Sequence, residues 1–161
     1  MHSHKLIAAL ALATGLAAPV ALTASPAAAA MASSCTVTLY DIDAFNVAEP
    51  DGRDELRFEV GGNLFPRFNS NWFGMTAGSD GDPGEFENPS DLIVNNNDVT
   101  FDLREVTPPA VGRGDRLGLA TAHDSVCDGL AVGATAIEED IITGTAETAY
   151  SYSVRLLLTG R

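Results

Sequence analysis

The chain has 161 residues, 45% of them hydrophobic, and a formal charge of −13 from 22 Asp and Glu against nine Lys and Arg. So acidic a surface repels phosphate backbones and anionic lipid headgroups, which excludes nucleic acid and unaided membrane binding as partners. The one lysine, Lys5, and two of the three histidines, His2 and His4, stand at the extreme N-terminus, so the rest of the chain is more acidic still.

Residues 1–30 read as a secretion signal: a short basic start through Lys5, an apolar run from Leu6 to Leu22, then Ser25-Pro-Ala-Ala-Ala-Ala30 as a cleavage region. Gly15 and Pro19 interrupt the run, which is mostly alanine and falls short of the ~20 strongly apolar residues of a spanning helix. A lipid anchor calls for a cysteine directly behind the apolar core, and Cys35 stands well past Leu22. The mature part, residues 31–161, is expected to be secreted. Its eight arginines and 22 acids leave about −14, and its length suits one domain with its own core. Export makes a disulfide between its two cysteines, Cys35 and Cys127, the expectation. Closing so long a loop stabilises by about 4 to 5 kcal/mol in the chain-entropy model. Zinc would need more ligands than these two thiols and one remaining histidine.

The dominant period along the mature chain is two. Cys35, Val37 and Leu39 alternate with Thr36, Thr38 and Tyr40. Leu56, Phe58 and Val60 alternate with Glu55, Arg57 and Glu59, and Val99, Phe101 and Leu103 with Thr100, Asp102 and Arg104. Tyr150, Tyr152, Val154, Leu156 and Leu158 form the inner face of a last segment. Each is expected to be a strand with one dry and one wet face. Turn-rich stretches separate them: Glu49-Pro-Asp-Gly52, Gly78-Ser-Asp-Gly-Asp-Pro-Gly84 and Val94-Asn-Asn-Asn-Asp98. Residues 134–142 suit a strand or a short helix. With no long amphipathic helix, the class is all-β, a single antiparallel β-sandwich.

Glu49-Pro-Asp-Gly-Arg-Asp-Glu-Leu-Arg-Phe-Glu-Val60 resembles the signature of C2-type domains, in which an acidic calcium loop and a Pro/Gly turn lead into an alternating strand. Val99 to Val106, followed by Gly114-Asp-Arg-Leu-Gly118, is similar to that family's sixth strand, third loop and following turn. Together these stretches cover about a third of the mature chain. The resemblance implies a C2-like sandwich and a calcium site with Glu49 and Asp54 in one loop and Asp115 in another. Asp51 joins them by position, and Asp41 and Asp43 leave a strand end on one face as weaker candidates. The family's Asp-x-Asp pair is replaced here by Thr107-Pro108-Pro109, which supplies no carboxylate. Calcium takes six to eight oxygens, so such a loss points to millimolar affinity at best. Asp80-Gly-Asp-Pro-Gly-Glu85 begins like an EF-hand loop but has Glu85 where glycine is required, and is expected to be an acidic turn.

Catalytic signatures are sparse. His123 is the one histidine of the mature part, beside Asp124 and Ser125, and no nucleophile elbow, H-E-x-x-H, phosphate loop or dinucleotide fingerprint is present. Trp72 and Phe73, close to Phe65 and Phe68 and interleaved with Asn63, Asn69 and Asn71, could form a sugar-stacking strip or fill the core. The expected function is a secreted non-enzymatic binding module for a protein or glycan, with a weak calcium site. The alternatives are a small secreted hydrolase using acidic residues or His123, and a carbohydrate- or protein-binding, inhibitor-like factor centred on Trp72. Intact-mass analysis of the exported protein is expected to show a start between Met31 and Ser33 and a gain of two hydrogens on reduction. A diacylglyceryl mass on Cys35, or two free thiols, contradicts this reading.

Overall fold

The computed structural model describes residues 29–67, 71–109 and 112–161; the signal expected before residue 29 lies outside them. The strands run in the order β1 (Cys35–Asn46), β2 (Arg53–Val60), β3 (Asn63–Phe65), β4 (Phe73–Thr76), β5 (Asp80–Gly81), β6 (Ser90–Ile93), β7 (Val99–Glu105), β8 (Asp115–Ala122), β9 (Thr135–Thr145) and β10 (Ala149–Gly160), with a one-turn helix, α1 (Asp124–Cys127), between β8 and β9. They form two five-stranded antiparallel sheets. The first has the order β5-β1-β10-β9, with β6 also pairing β1; the second has the order β3-β2-β7-β8, with β4 also pairing β2. This is the expected sandwich. No helix among the described residues is long and apolar enough to cross a membrane.

The alternation places the core as expected. Leu56, Phe58, Val60, Val99, Phe101, Leu103, Tyr152, Val154 and Leu156 are all buried, together with Cys35, Val37, Leu39 and Leu158. Phe58 sits at the centre, edge-on to Phe86 at 5.0 Å and to Phe101 at 6.2 Å between ring centroids. Such T-shaped contacts suit the quadrupoles of the rings. Cys35 and Cys127 are bonded, with Cα atoms 5.8 Å apart, and tie the start of β1 to α1. Beside them Met31 bridges to Ala131 and Arg161 N donates to Ser34 O at 2.8 Å, so both ends of the sandwich's chain meet on one side.

The turns also fall where Gly, Asn and Asp cluster. Asn95 and Asn96 take left-handed φ values of 56° and 59° between β6 and β7, a conformation asparagine tolerates better than most residues. At Asp80 to Glu85 a short strand leads into a 3₁₀ turn over Pro83–Phe86, with Asp82 N donating to the Glu85 carboxylate at 2.9 Å. Residues 135–145 form a strand rather than a helix.

The polar face of the second sheet departs from the expected wet face: Arg57, Asp102 and Arg104 are buried, at 0%, 4% and 8% exposure. Loops cross this face, and the arginines hold them: Arg57 donates to Gly112 O at 2.6 Å and to Pro66 O at 2.7 Å, and Arg104 to Gly114 O at 3.0 Å. Carboxylates complete the layer, with Arg104 2.8 Å from Glu59 and 2.7 Å from Asp102, Arg113 2.7 Å from Glu59, and Arg116 2.8 Å from Asp102. Long arginine stems lie along the sheet while their heads gather loop carbonyls and acids. Truncating Phe58 or Phe101 to Ala is expected to cost about 3 to 5 kcal/mol by opening a cavity, measured as a fall in the urea midpoint at unchanged slope.

Candidate functional site

The turn between β1 and β2 is built around Asp54. Period two puts Asp54 on the same inward face as Leu56 and Phe58, so its carboxylate enters the sandwich, where it is fully buried. A buried carboxylate must be hydrogen-bonded. Its Oδ2 accepts from Ala48 N at 2.6 Å and from the Tyr152 hydroxyl of β10, and its Oδ1 accepts from Glu49 N at 2.9 Å. Burial, then the Asp54 carboxylate, pushes the Tyr152 hydroxyl pKa up, so it stays protonated and donates. Asp54 thus spends its oxygens on the fold and pins Glu49 above it.

Over this anchor three carboxylates converge: Glu49 from the turn, Glu55 from β2 and Glu105 from the end of β7, each offering an oxygen within 4.8 Å of the others. The β2–β7 register makes this possible by pairing Leu56 with Glu105, while Val106 N donates to Glu55 O at 2.8 Å. Thr107 Oγ1 lies 3.4 Å from both the Glu49 and the Glu105 carboxylates. The crowding shifts the titration of Glu105 and Glu55. Burial, a hydrogen bond to Glu49 and then the charges of Glu49, Asp54 and Glu55 raise the Glu105 carboxyl to about 8. Burial and the Glu49 charge raise Glu55, against a smaller lowering by Arg53. Arg53 stands 3.7 Å from Glu55 with its side chain 56% exposed, too solvated to neutralise the group.

The other candidate acids lie elsewhere. Asp51 is exposed in the turn, its Oδ1 accepting from Arg53 N at 3.0 Å, and its charge reaches Glu55. Asp115 starts β8 opposite Glu105 and, with Glu105, Thr107 and Arg113, lines a hollow of about 260 Å³ beside the cluster. Asp41 and Asp43 belong to the outer face of the first sheet, where Arg155 holds them at 2.6 and 2.9 Å. A second hollow of about 270 Å³ on the second sheet includes Glu59, Asp102 and Arg116, whose charges already pair within the arginine layer. Glu55 and Glu105 were absent from the sequence candidates, because only the strand register brings them together.

His123 caps α1 with its Nδ1 2.8 Å from Glu138 Oε1; this hydrogen bond, above the opposing desolvation, raises its pKa. Neither hollow includes it. Trp72 and Phe73 are half-buried, and Phe73 packs edge-on to Phe86 at 5.3 Å. Phe65 is buried, and the Phe68 and Asn69 of the aromatic cluster lie outside the described residues.

No family model matches the chain, and no curated protein matches it. Among solved structures it is similar to a pair of C2 domains, A and B, of extended synaptotagmin 2, at 10% identity and a TM-score of 0.43, over 92% of this chain and 48% of that one. The chain therefore spans about half the length of that structure.

The raised Glu105 carboxyl sets a pH dependence. Its folded pKa lies above its unfolded one, so the folded state holds extra proton between the two, and this stability is present below the unfolded value and lost as pH rises through about 8. In chelator-treated buffer the urea midpoint is expected to fall between pH 6 and pH 9, and Glu105→Gln to flatten that fall. A Glu105→Gln profile parallel to the wild type's contradicts the assignment.

Proposed function

We propose that the chain is a secreted, non-enzymatic binding module whose acidic loop end, formed by Glu49, Glu55 and Glu105, takes up calcium weakly. The observation that carries this reading is three carboxylates within 4.8 Å of one another over the buried Asp54. Like charges held that close repel unless a proton or a cation sits among them. A divalent ion relieves the repulsion more completely than the proton on Glu105, and hard oxygen donors of this kind suit calcium. Glu49, Glu55 and Glu105 would hold the ion, Thr107 would add a neutral oxygen, and water would complete the shell. Asp54 would contribute its charge from behind while keeping Glu49 in place. Export would supply the setting, since weak sites of about 10⁻⁴ to 10⁻³ M are those of extracellular modules.

At free calcium ten times the dissociation constant the gain in stability is about 1.4 kcal/mol. Thermal unfolding with calcium, compared with sodium at matched ionic strength, is expected to show a rise in Tm. Glu49→Gln and Glu105→Gln should abolish it, while Asp43→Asn on the far face should leave it intact. A calcium effect no larger than sodium's, or one that survives both Gln substitutions, contradicts the proposal.

A further inference from the structure

The two outer faces of the sandwich are finished differently. Loops and the arginine layer cover the second sheet, whereas on the first sheet the outward residues of β9, Ile137, Glu139 and Ile141 among them, are exposed. Its outward residues follow from the register: Leu92 of β6 stands opposite Thr36, and Thr38 of β1, Leu157 of β10 and Ile137 of β9 share one cross-strand row. Leu92, Ile137 and Ile141 are 46%, 51% and 56% exposed. Leu157 and Ile137 are direct cross-strand neighbours, with Leu92 one row and Ile141 two rows away on the same face, so this one sheet shows several large aliphatic side chains to water.

The same face is acidic. In the next rows Asp41 and Asp43 of β1 and Glu139 of β9 surround the single guanidinium of Arg155, and the Asp80 charge reaches Asp41 as well. Carboxylates thus outnumber the cation beside the aliphatic row. A second copy of this chain would bring the same excess of negative charge to the contact, and an anionic surface would be repelled. A partner carrying cations next to apolar side chains satisfies both halves of the face.

We propose that the outer face of the β6-β1-β10-β9 sheet is a docking surface for a basic polypeptide segment with apolar side chains, which Ile137, Leu157 and Leu92 would contact while Asp43 and Glu139 meet its cations. The proposal does not rest on the cation reading, because the acidic loop end lies apart from these rows.

The probe is a labelled synthetic peptide of alternating Lys and Val, of strand length, titrated by fluorescence anisotropy at low salt against the mature protein. An oligolysine and an alternating Glu–Val peptide of the same length serve as comparisons. The Lys–Val peptide is expected to bind more tightly than either. Ile137→Ser combined with Ile141→Ser should weaken it by about fivefold or more, as befits loss of the apolar anchors. Glu139→Gln should reduce the salt dependence, and Leu119→Ser on the opposite sheet should leave binding unchanged, with circular dichroism showing each variant folded. Binding no tighter than oligolysine, or unchanged in the double serine variant, overturns the proposal. So does a dimer in sedimentation that dissociates in the double serine variant, which would make a second copy the occupant.

Discussion

The Asp54 carboxylate is the point on which the loop end depends. It leaves β2 in one sheet, receives the Tyr152 hydroxyl from β10 in the other, and accepts the backbone amides of Ala48 and Glu49. Moving a carboxylate out of water without partners is costly, so these three donors act together to make its burial tolerable. In return the carboxylate holds the β1–β2 turn against the core and ties the two sheets at one end. Glu49 therefore stands where Glu55 and Glu105 reach it, and the crowding that shifts Glu105 follows from that placement. The loop end is a consequence of a buried hydrogen-bond network rather than a chance gathering of surface acids.

The acid excess is handled in distinct ways across the molecule. On the second sheet arginines neutralise it and fasten the crossing loops, so that charged residues act as a covering layer. On the first sheet Arg155 offsets it in part. Along the seam between the sheets, β9 carboxylates replace a missing neighbouring strand: Asp140 accepts from Thr121 N at 2.7 Å and Glu138 from His123 N at 2.8 Å. Inward charges of this kind also protect an edge from pairing with another chain. At the loop end no comparable partner reaches the three glutamates among the described residues, since Arg53 is largely solvated.

Much of the fold was legible because alternation reports directly on which residues share a face. Phe58, Phe101 and Val154 could be assigned to the core for that reason, and Cys35 could be paired with Cys127 from the expectation of export. β9 was hard to read because its large aliphatics, Ile137 and Ile141, face outward while Ala136, Glu138 and Asp140 face the seam, which reverses the usual pattern of a half-buried strand. The covered face of the second sheet was not legible either: period two says which side chains lie together, not whether a loop lies over them. For the site, Glu49 was visible as an acid in a turn, whereas Glu55 and Glu105 depended on the β2–β7 register. Asp54 offered its own signal, since it falls two residues before Leu56 and so points inward, where a carboxylate is held by the fold before it can hold an ion.

Calorimetric titration of calcium into residues 31–161 in weak buffer at neutral pH, with proton release followed in parallel, tests the account most directly. The shared proton at Glu105 and the incoming ion compete for the same oxygens, so binding is expected to saturate in the submillimolar to millimolar range and to release protons, with the release vanishing once the pH stands well above about 8. Absence of saturable heat, or binding with no proton released near neutral pH, would contradict it.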